Sequence, residues 1–195
     1  MPPRRKASSS RTKAMKTLTD PVDWARHFWR RHGLGDNEDA FIAMSSVLRF
    51  HRLMVDAVET QLRPLKLNLT DYMLLMTLQL SETGTRLISQ LARSLMVHAT
   101  TATLATDRLE GRGLIERNPH PTDRRATLVT ITTAGQDLIE TATDALRVCE
   151  FGFSGTSVTE QRELIDVLAS IRLAAGDTDT PVKASRSRRS DTAAS

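Results

Sequence analysis

Between Leu87 and Thr132 the apolar rhythm of the chain changes in a fixed order: helical stretch, two-residue break, helical stretch, short strand, polar loop, short strand. Leu87 to Leu95 and His98 to Arg112 have helical spacing and are separated only by Met96 and Val97. Leu114 to Arg117 and Leu128 to Ile131 read as strands. The stretch NPHPTDRRA between them, with two prolines, reads as the loop of a hairpin. Few folds place a tight helix pair directly before a hairpin. The shape is the one that lays its second helix in the major groove of a duplex.

The flanks are helical. Only 4% of the 195 residues are aromatic, so the core has to be built mainly from Leu, Ile, Val, Met and Ala, a mix that favours helices. A helix is expected from Pro21 to His32, with Asp20 as its cap, Pro21 in its first turn and Gly33 as its stop. Phe41, Met44, Leu48, Val55 and Leu62 then recur at helical spacing until Pro64 intervenes, while Val47, Phe50, Leu53, Met54 and Val58 lie off that stripe. So wide an apolar surface suits a helix that a partner chain covers. Thr70 is the expected cap of a helix containing Tyr72 to Leu80. Thr133 and Gln136 suggest a capping box for a helix reaching Glu150. Phe151 to Gly155 break it, and Thr159 to Ala175 forms the last helix, with Leu164, Val167, Leu168 and Ile171 on one face.

The formal charge is +4, and its placement says more than its size. Arg4, Arg5, Lys6, Arg11, Lys13 and Lys16 precede the first acid, Asp20, and Lys183, Arg186, Arg188 and Arg189 crowd the other end. Both ends are rich in Ser, Thr, Ala and Pro and are expected to be disordered basic tails. They suit either a polyanion such as nucleic acid or a purely solubilising role. One cysteine excludes a disulfide framework, and no apolar run reaches the roughly 18 residues that span a bilayer. The N-terminus lacks the apolar region of a secretory signal, so a cytoplasmic, membrane-free protein is expected. Phosphate loops, a nucleophile elbow and dinucleotide fingerprints are missing, which argues against an enzyme. His27, His32, His51, His98 and His120 have no partners at metal-ligand spacing, so no metal or cofactor is expected. Cys149 reads as a buried, inert thiol.

The chemistry concentrates in the second helix and the loop. His98, Thr100, Thr101 and Thr103 alternate with Ala99, Ala102 and Ala105, a pattern that suits either close approach to base edges or a merely solvated helix face, and the loop that follows favours the first. Leu104, Leu109 and Leu114 are expected to anchor into the core. Arg124 and Arg125 lie near the hairpin tip, where a guanidinium can enter a narrow minor groove, and Asp123 is expected to fix Arg125 through a bidentate ion pair.

These residues resemble the winged helix-turn-helix core of the MarR family, the multiple antibiotic resistance regulators. The matching pieces are L-A-R-x-L before the turn, R-L-E-x-x-G-L-I-E-R after the second helix, D-R-R in the loop and I-T-x-x-G leading into the next helix. The resemblance implies a mainly α fold with a small β-hairpin wing, flanked by N- and C-terminal dimerisation helices. On this basis residues 1–19 are a basic tail and 20–65 the extra helix with the N-terminal dimerisation helix. Residues 66–132 are the DNA-binding domain, 133–175 the C-terminal dimerisation helices and 176–195 a second tail. The resemblance further implies a homodimeric DNA-binding repressor on a pseudo-palindromic operator of double-stranded DNA, its two recognition helices about 10 bp apart, released by a small-molecule effector. The alternatives are a winged-helix module that contacts protein and a DNA-binding protein that needs no ligand.

VDWARHFWRRHG is similar to the extra N-terminal helix of the family's urate-responsive branch. That resemblance places Trp24 and Arg117 at ligand-binding positions. Met73 occupies the place of the branch's acidic residue, and Asp71 lies two residues earlier. Urate is therefore not the expected ligand, whereas another aromatic or anionic compound remains open. The competing reading is that Trp24, Phe28 and Trp29 simply pack the extra helix onto the dimer.

Overall fold

The computed structural model describes residues 20–123 and 125–177. Arg124 and the two expected basic tails, apart from Gly176 and Asp177, lie outside the described residues. Two compact units divide the chain after Ser154. No described helix is long and apolar enough to cross a membrane.

In the first unit, helix α1 (Pro21–His32) begins and ends where the sequence predicts. The Asp20 carboxylate accepts the Val22 N–H at 2.8 Å. Gly33 stops the helix in the left-handed region at φ 61°, where a side chain would strain the backbone. Charge and ring stacking tie α1 to the long helix α2 (Glu38–Leu62). Arg26 pairs with Glu38 and Asp39, Arg30 with Glu38, and Trp29 stacks on Phe41 with ring centroids 4.8 Å apart. The Arg30 hydrogen bond holds the Glu38 carboxyl below the usual glutamate range.

Helix α2 keeps much of its wide apolar surface uncovered within one chain. Only Ile42, Val58 and Leu62 are buried, while Met44 and Leu48 from the predicted stripe stay exposed together with Val47 and Leu53. Within one chain, α2 touches the core mainly through its C-terminal turns, so most of its apolar surface faces outward. A short 3₁₀ turn (Arg63–Leu65) leads to helix α3 (Leu69–Gln79). Here the cap is Asn68 rather than Thr70. The Asn68 side chain accepts the Asp71 N–H at 2.8 Å, and Asp71 returns the capping interaction. An earlier cap lets the helix start two residues sooner and buries Leu74, Leu75 and Leu78 at its centre.

Strand β1 (Thr85–Leu87), helix α4 (Ile88–Ser94) and helix α5 (Ala99–Gly111) follow, then strands β2 (Ile115–Pro119) and β3 (Thr127–Ile131). The hairpin expected from sequence is enlarged to a three-stranded antiparallel sheet of order β1-β3-β2. Three residues, Thr-Arg-Leu, are too short a run to show strand alternation, but pairing Arg86 with Val129 satisfies their backbone at the edge of β3. Leu91, Leu109, Ile115 and Val129 join the three α3 leucines in one fully buried cluster. Each such side chain contributes roughly 1.5–3 kcal/mol of transfer free energy.

Helix α6 (Thr133–Val148) is capped by Thr132, one residue before the predicted box; its hydroxyl accepts the Gly135 N–H at 3.1 Å. A β-carbon on Gly135 would lie 2.2 Å from the Leu114 carbonyl oxygen, which explains why the I-T-x-x-G pattern ends in glycine. Ile139, Ala142 and Leu146 bury one face of α6. Beyond it, a 3₁₀ turn (Glu150–Gly152) packs on α2, and Cys149 is half-buried, its thiol donating to the Leu146 carbonyl. The second unit contains helix α7 (Val158–Ala174), capped by Ser157 with Glu160 in a reciprocal box, and none of its residues is buried.

Candidate nucleic-acid interface

The turn between α4 and α5 is tight because Met96 adopts the left-handed region at φ 51°. Leu95 closes α4, Met96 and Val97 reverse the chain, and His98 opens α5. The Val97 N–H donates to the Ala92 carbonyl at 3.0 Å, so the turn is locked onto the end of α4.

Helix α5 has two distinct sides. Ala102, Ala105, Thr106 and Leu109 are buried, at the spacing that puts them on one face against the core. Thr100, Thr101, Thr103 and Leu104 are exposed on the opposite side, and His98 is exposed at its start. Leu109 and Leu114 are the core anchors expected from sequence, but Leu104 is not: it is 54% exposed. Position 104 falls one turn after Thr100 and shares its face, so core packing cannot reach it. The hydroxyl of Thr103 donates to the Ala99 carbonyl at 3.0 Å, whereas the hydroxyls of Thr100 and Thr101 make no hydrogen bond among the described residues.

The hairpin loop is held by its own polar groups. The His120 N–H donates to the Ala126 carbonyl, and the Ala126 N–H to the Asp123 carbonyl, each at 3.0 Å. The Asp123 N–H donates to His120 Nδ1 at 3.2 Å, so the ring accepts there and carries its proton on Nε2. Asp123 does organise Arg125, but not by the expected bidentate pair. Its Oδ1 accepts the Arg125 backbone N–H at 2.9 Å, and no ion pair joins the two side chains. A carboxylate one carbon from its own backbone reaches the N–H two residues on more easily than a guanidinium at the end of a long side chain. The Arg125 side chain is exposed, with its anchoring turn beneath it.

Three further ion pairs hold α5 in place. Asp71 on α3, its side chain 6% exposed, bonds Arg108 Nη2 at 2.7 Å. Arg117 on β2 pairs with both Asp107 and Glu110 on α5. Asp107 and Glu110 are the only acids in α5, three residues apart, and Arg117 compensates both of them from the wing strand. This clamp is absent from the sequence analysis, although Glu110 and Arg117 lie in the R-L-E-x-x-G-L-I-E-R stretch and Asp107 immediately precedes it.

The three expected ligand residues have different partners. Trp24 is 53% exposed on α1 and packs on Phe28, Asp71 pairs with Arg108, and Arg117 with Asp107 and Glu110. No hydrogen bond or ion pair links any two of them. Elsewhere, Met76 and Gln79 of α3 and Ile139, Glu140, Thr143, Asp144 and Arg147 of α6 line a groove of about 350 Å³. Among the described residues no cluster of His, Cys, Asp or Glu is arranged to hold a metal ion.

A sequence model of the MarR family matches residues 67–127. The uncharacterized HTH-type transcriptional regulator YdgJ of Bacillus subtilis is 33% identical over 85 residues, which is 43% of this chain and 52% of YdgJ. The chain thus spans about half the length of that relative. Sco5413, a MarR family transcriptional regulator from Streptomyces coelicolor, is 33% identical in sequence and superposes with a TM-score of 0.67 over 72% of this chain and 98% of its own. Sco3205, a MarR family regulator of the same organism solved in complex with DNA, shares the fold at 22% identity, with a TM-score of 0.61 over 71% of this chain and 88% of its own.

Proposed function

This chain belongs to the MarR family, and from that premise we propose that it is a DNA-binding transcriptional repressor that acts as a homodimer on a pseudo-palindromic site. The observation that carries the reading is the two-sided α5. Its threonines face outward over a fully buried row, beside a hairpin whose tip presents Arg125 on an anchored turn. Helix α5 enters the major groove with Thr100 and Thr101 offering free hydroxyls to base edges. His98 lies at its leading end, and Arg125 enters the adjoining minor groove, with Arg124 beside it in sequence. Asp123 keeps Arg125 poised rather than touching DNA itself.

The dimer follows from surface that one chain leaves bare. Met44, Val47, Leu48 and Leu53 on α2 are all more than half exposed. On α7, Ile165, Val167 and Ile171 are equally uncovered. Apolar surface on this scale is stabilised when a second copy covers it. Two copies would bring two recognition helices to successive major grooves about 10 bp apart.

Release by a small aromatic or anionic compound completes the proposal. Trp24, Asp71 and Arg117 share no direct hydrogen bond or ion pair, and the groove between α3 and α6 is a second candidate seat; its volume falls in the range of small-molecule pockets, and Glu140 and Asp144 in its wall suit it to an aromatic rather than an anionic compound. Sco3205 supports the DNA reading only through shared fold.

The test is a gel shift of the full chain on DNA upstream of its own gene, titrated with salt. Affinity should fall steeply and log-linearly with salt as counterions are released. Salt-independent binding, or none, would refute the reading, and sedimentation as a monomer at micromolar concentration would refute the dimer.

A further inference from the structure

The most exposed line on α5 is not made of hydroxyls alone. Thr100 and Leu104, followed by the Arg117-paired Asp107, are spaced i, i+4 and i+7, so they form one row. The buried row Ala102, Ala105, Thr106 and Leu109 lies on the opposite side of the helix. Leu104 therefore occupies the middle of the outward face, one turn beyond Thr100. Thr103, its neighbour, has committed its hydroxyl proton to the Ala99 carbonyl at 3.0 Å, so it brings a methyl group and no free donor. The centre of the face is thus apolar, and its polar donors, Thr100 and Thr101, sit nearer the start of the helix.

The major groove displays one apolar feature that identifies a base, the C5 methyl of thymine. Resting on the reading of α5 as the recognition helix, we propose that Leu104 is a specificity-determining residue that selects thymine at the base pair it faces, through contact with this methyl group. Cytosine at that position presents an amino group instead, and an isobutyl side chain cannot satisfy it. An adenine or guanine edge would likewise leave polar atoms desolvated and unpaired against Leu104. The same geometry explains why a large apolar residue is tolerated on a surface otherwise made of Thr, Ala and charged groups. A protein partner covering Leu104 would also have to bury Thr100 and Thr103 on the same face.

The test separates this claim from DNA binding itself. A duplex enriched from a random pool by the full chain is remade with each thymine replaced singly by deoxyuridine, which removes one methyl group and leaves base pairing intact. One thymine in each half-site should lose about fourfold in affinity on replacement, the scale of one buried methyl group. In Leu104→Ala the same replacement should change affinity by less than about 1.5-fold, because the contact is already gone. Leu104 is half exposed, so this variant should melt with the wild type. Leu104→Gln provides a second reading: its amide should favour adenine at that position over thymine. Enrichment without any uracil effect, a uracil effect undiminished in Leu104→Ala, or thymine preference kept by Leu104→Gln would overturn the proposal while leaving DNA binding intact. If the wild type enriches no duplex, the reading of α5 falls with it.

Discussion

Two substitutions at Asp123 distinguish an anchored turn from an ion pair. Asp123→Asn keeps an oxygen that can accept the Arg125 N–H, now 2.9 Å from Oδ1, but removes the charge. Asp123→Ala removes both. The lost hydrogen bond lies in an exposed loop, so it is worth about 0.5–1 kcal/mol of loop order, or roughly two- to fivefold in DNA affinity. The charge acts in the opposite direction. A carboxylate roughly 10 Å from a phosphate in a water-like dielectric is repelled by about 0.4 kcal/mol before salt screening. Asp123→Asn should therefore bind DNA as well as the wild type or up to about twofold tighter, whereas Asp123→Ala should bind up to about threefold more weakly. Arg125→Ala, which removes the contact itself, should cost about 1–3 kcal/mol and reduce the salt slope by about 1. In the Arg125→Ala background the Asp123→Ala penalty should vanish and leave only the gain from the lost charge, up to about twofold tighter binding, because the anchored turn acts only through Arg125. Fluorescence anisotropy across a salt series measures all four chains. If Asp123→Asn is as damaging as Asp123→Ala, the charge is what matters and the anchored-turn argument is wrong.

Other consequences are independent of the wing. Gly135→Ala should destabilise the fold by about 3 kcal/mol or more, since the new methyl meets a backbone carbonyl that cannot move aside; thermal or urea unfolding reads this directly. Arg108→Ala should cost about 1–3 kcal/mol by leaving the buried Asp71 carboxylate without its partner, and Asp71→Asn in the same chain should recover part of the loss. Val47→Glu or Ile165→Glu should yield a monomer in sedimentation experiments, because each puts a charge on apolar surface assigned to the second copy. Glu38 has a depressed folded pKa, so its contribution is present above the usual glutamate value and is lost as pH falls through the lower folded one. Tryptophan fluorescence should accordingly report α1 loosening from α2 in that acid window. Glu38→Gln should abolish the transition.

Element positions were legible wherever local chemistry decides them. Asp20, Pro21 and Gly33 frame α1 because a cap, a fixed φ and a left-handed stop act within one turn. The caps at Asn68 and Thr132 were misplaced by two residues and one residue, since several hydrogen-bonding side chains cluster at each start and only the fold selects among them. Strand β1 was invisible for a different reason. Its three residues become a strand only through pairing with β3, more than 40 residues away, and no local pattern encodes that partner. The helix α2 is legible from its spacing, but not which of its apolar residues one chain covers. Its apolar residues encircle much of the helix, and periodicity cannot tell a face buried within one chain from a face awaiting another.

Arg117 shows the same limit at the level of a single side chain. Read alone, a lone arginine after G-L-I-E is a natural anion ligand, and a resemblance assigned it to an effector. In the fold it faces Asp107 and Glu110, and the proposed DNA binding would give all three a common reason. A helix directed at phosphates cannot carry two uncompensated carboxylates without repulsion that grows as salt is lowered. Placing the compensating cation on β2 rather than on α5 leaves the helix face free for Thr100, Thr101 and Leu104. It also ties β2 to α5, the two elements proposed to meet the minor and the major groove. On the proposed DNA-binding role, the arginine that a resemblance links to a small molecule has a second task, holding β2 and α5 together through Asp107 and Glu110.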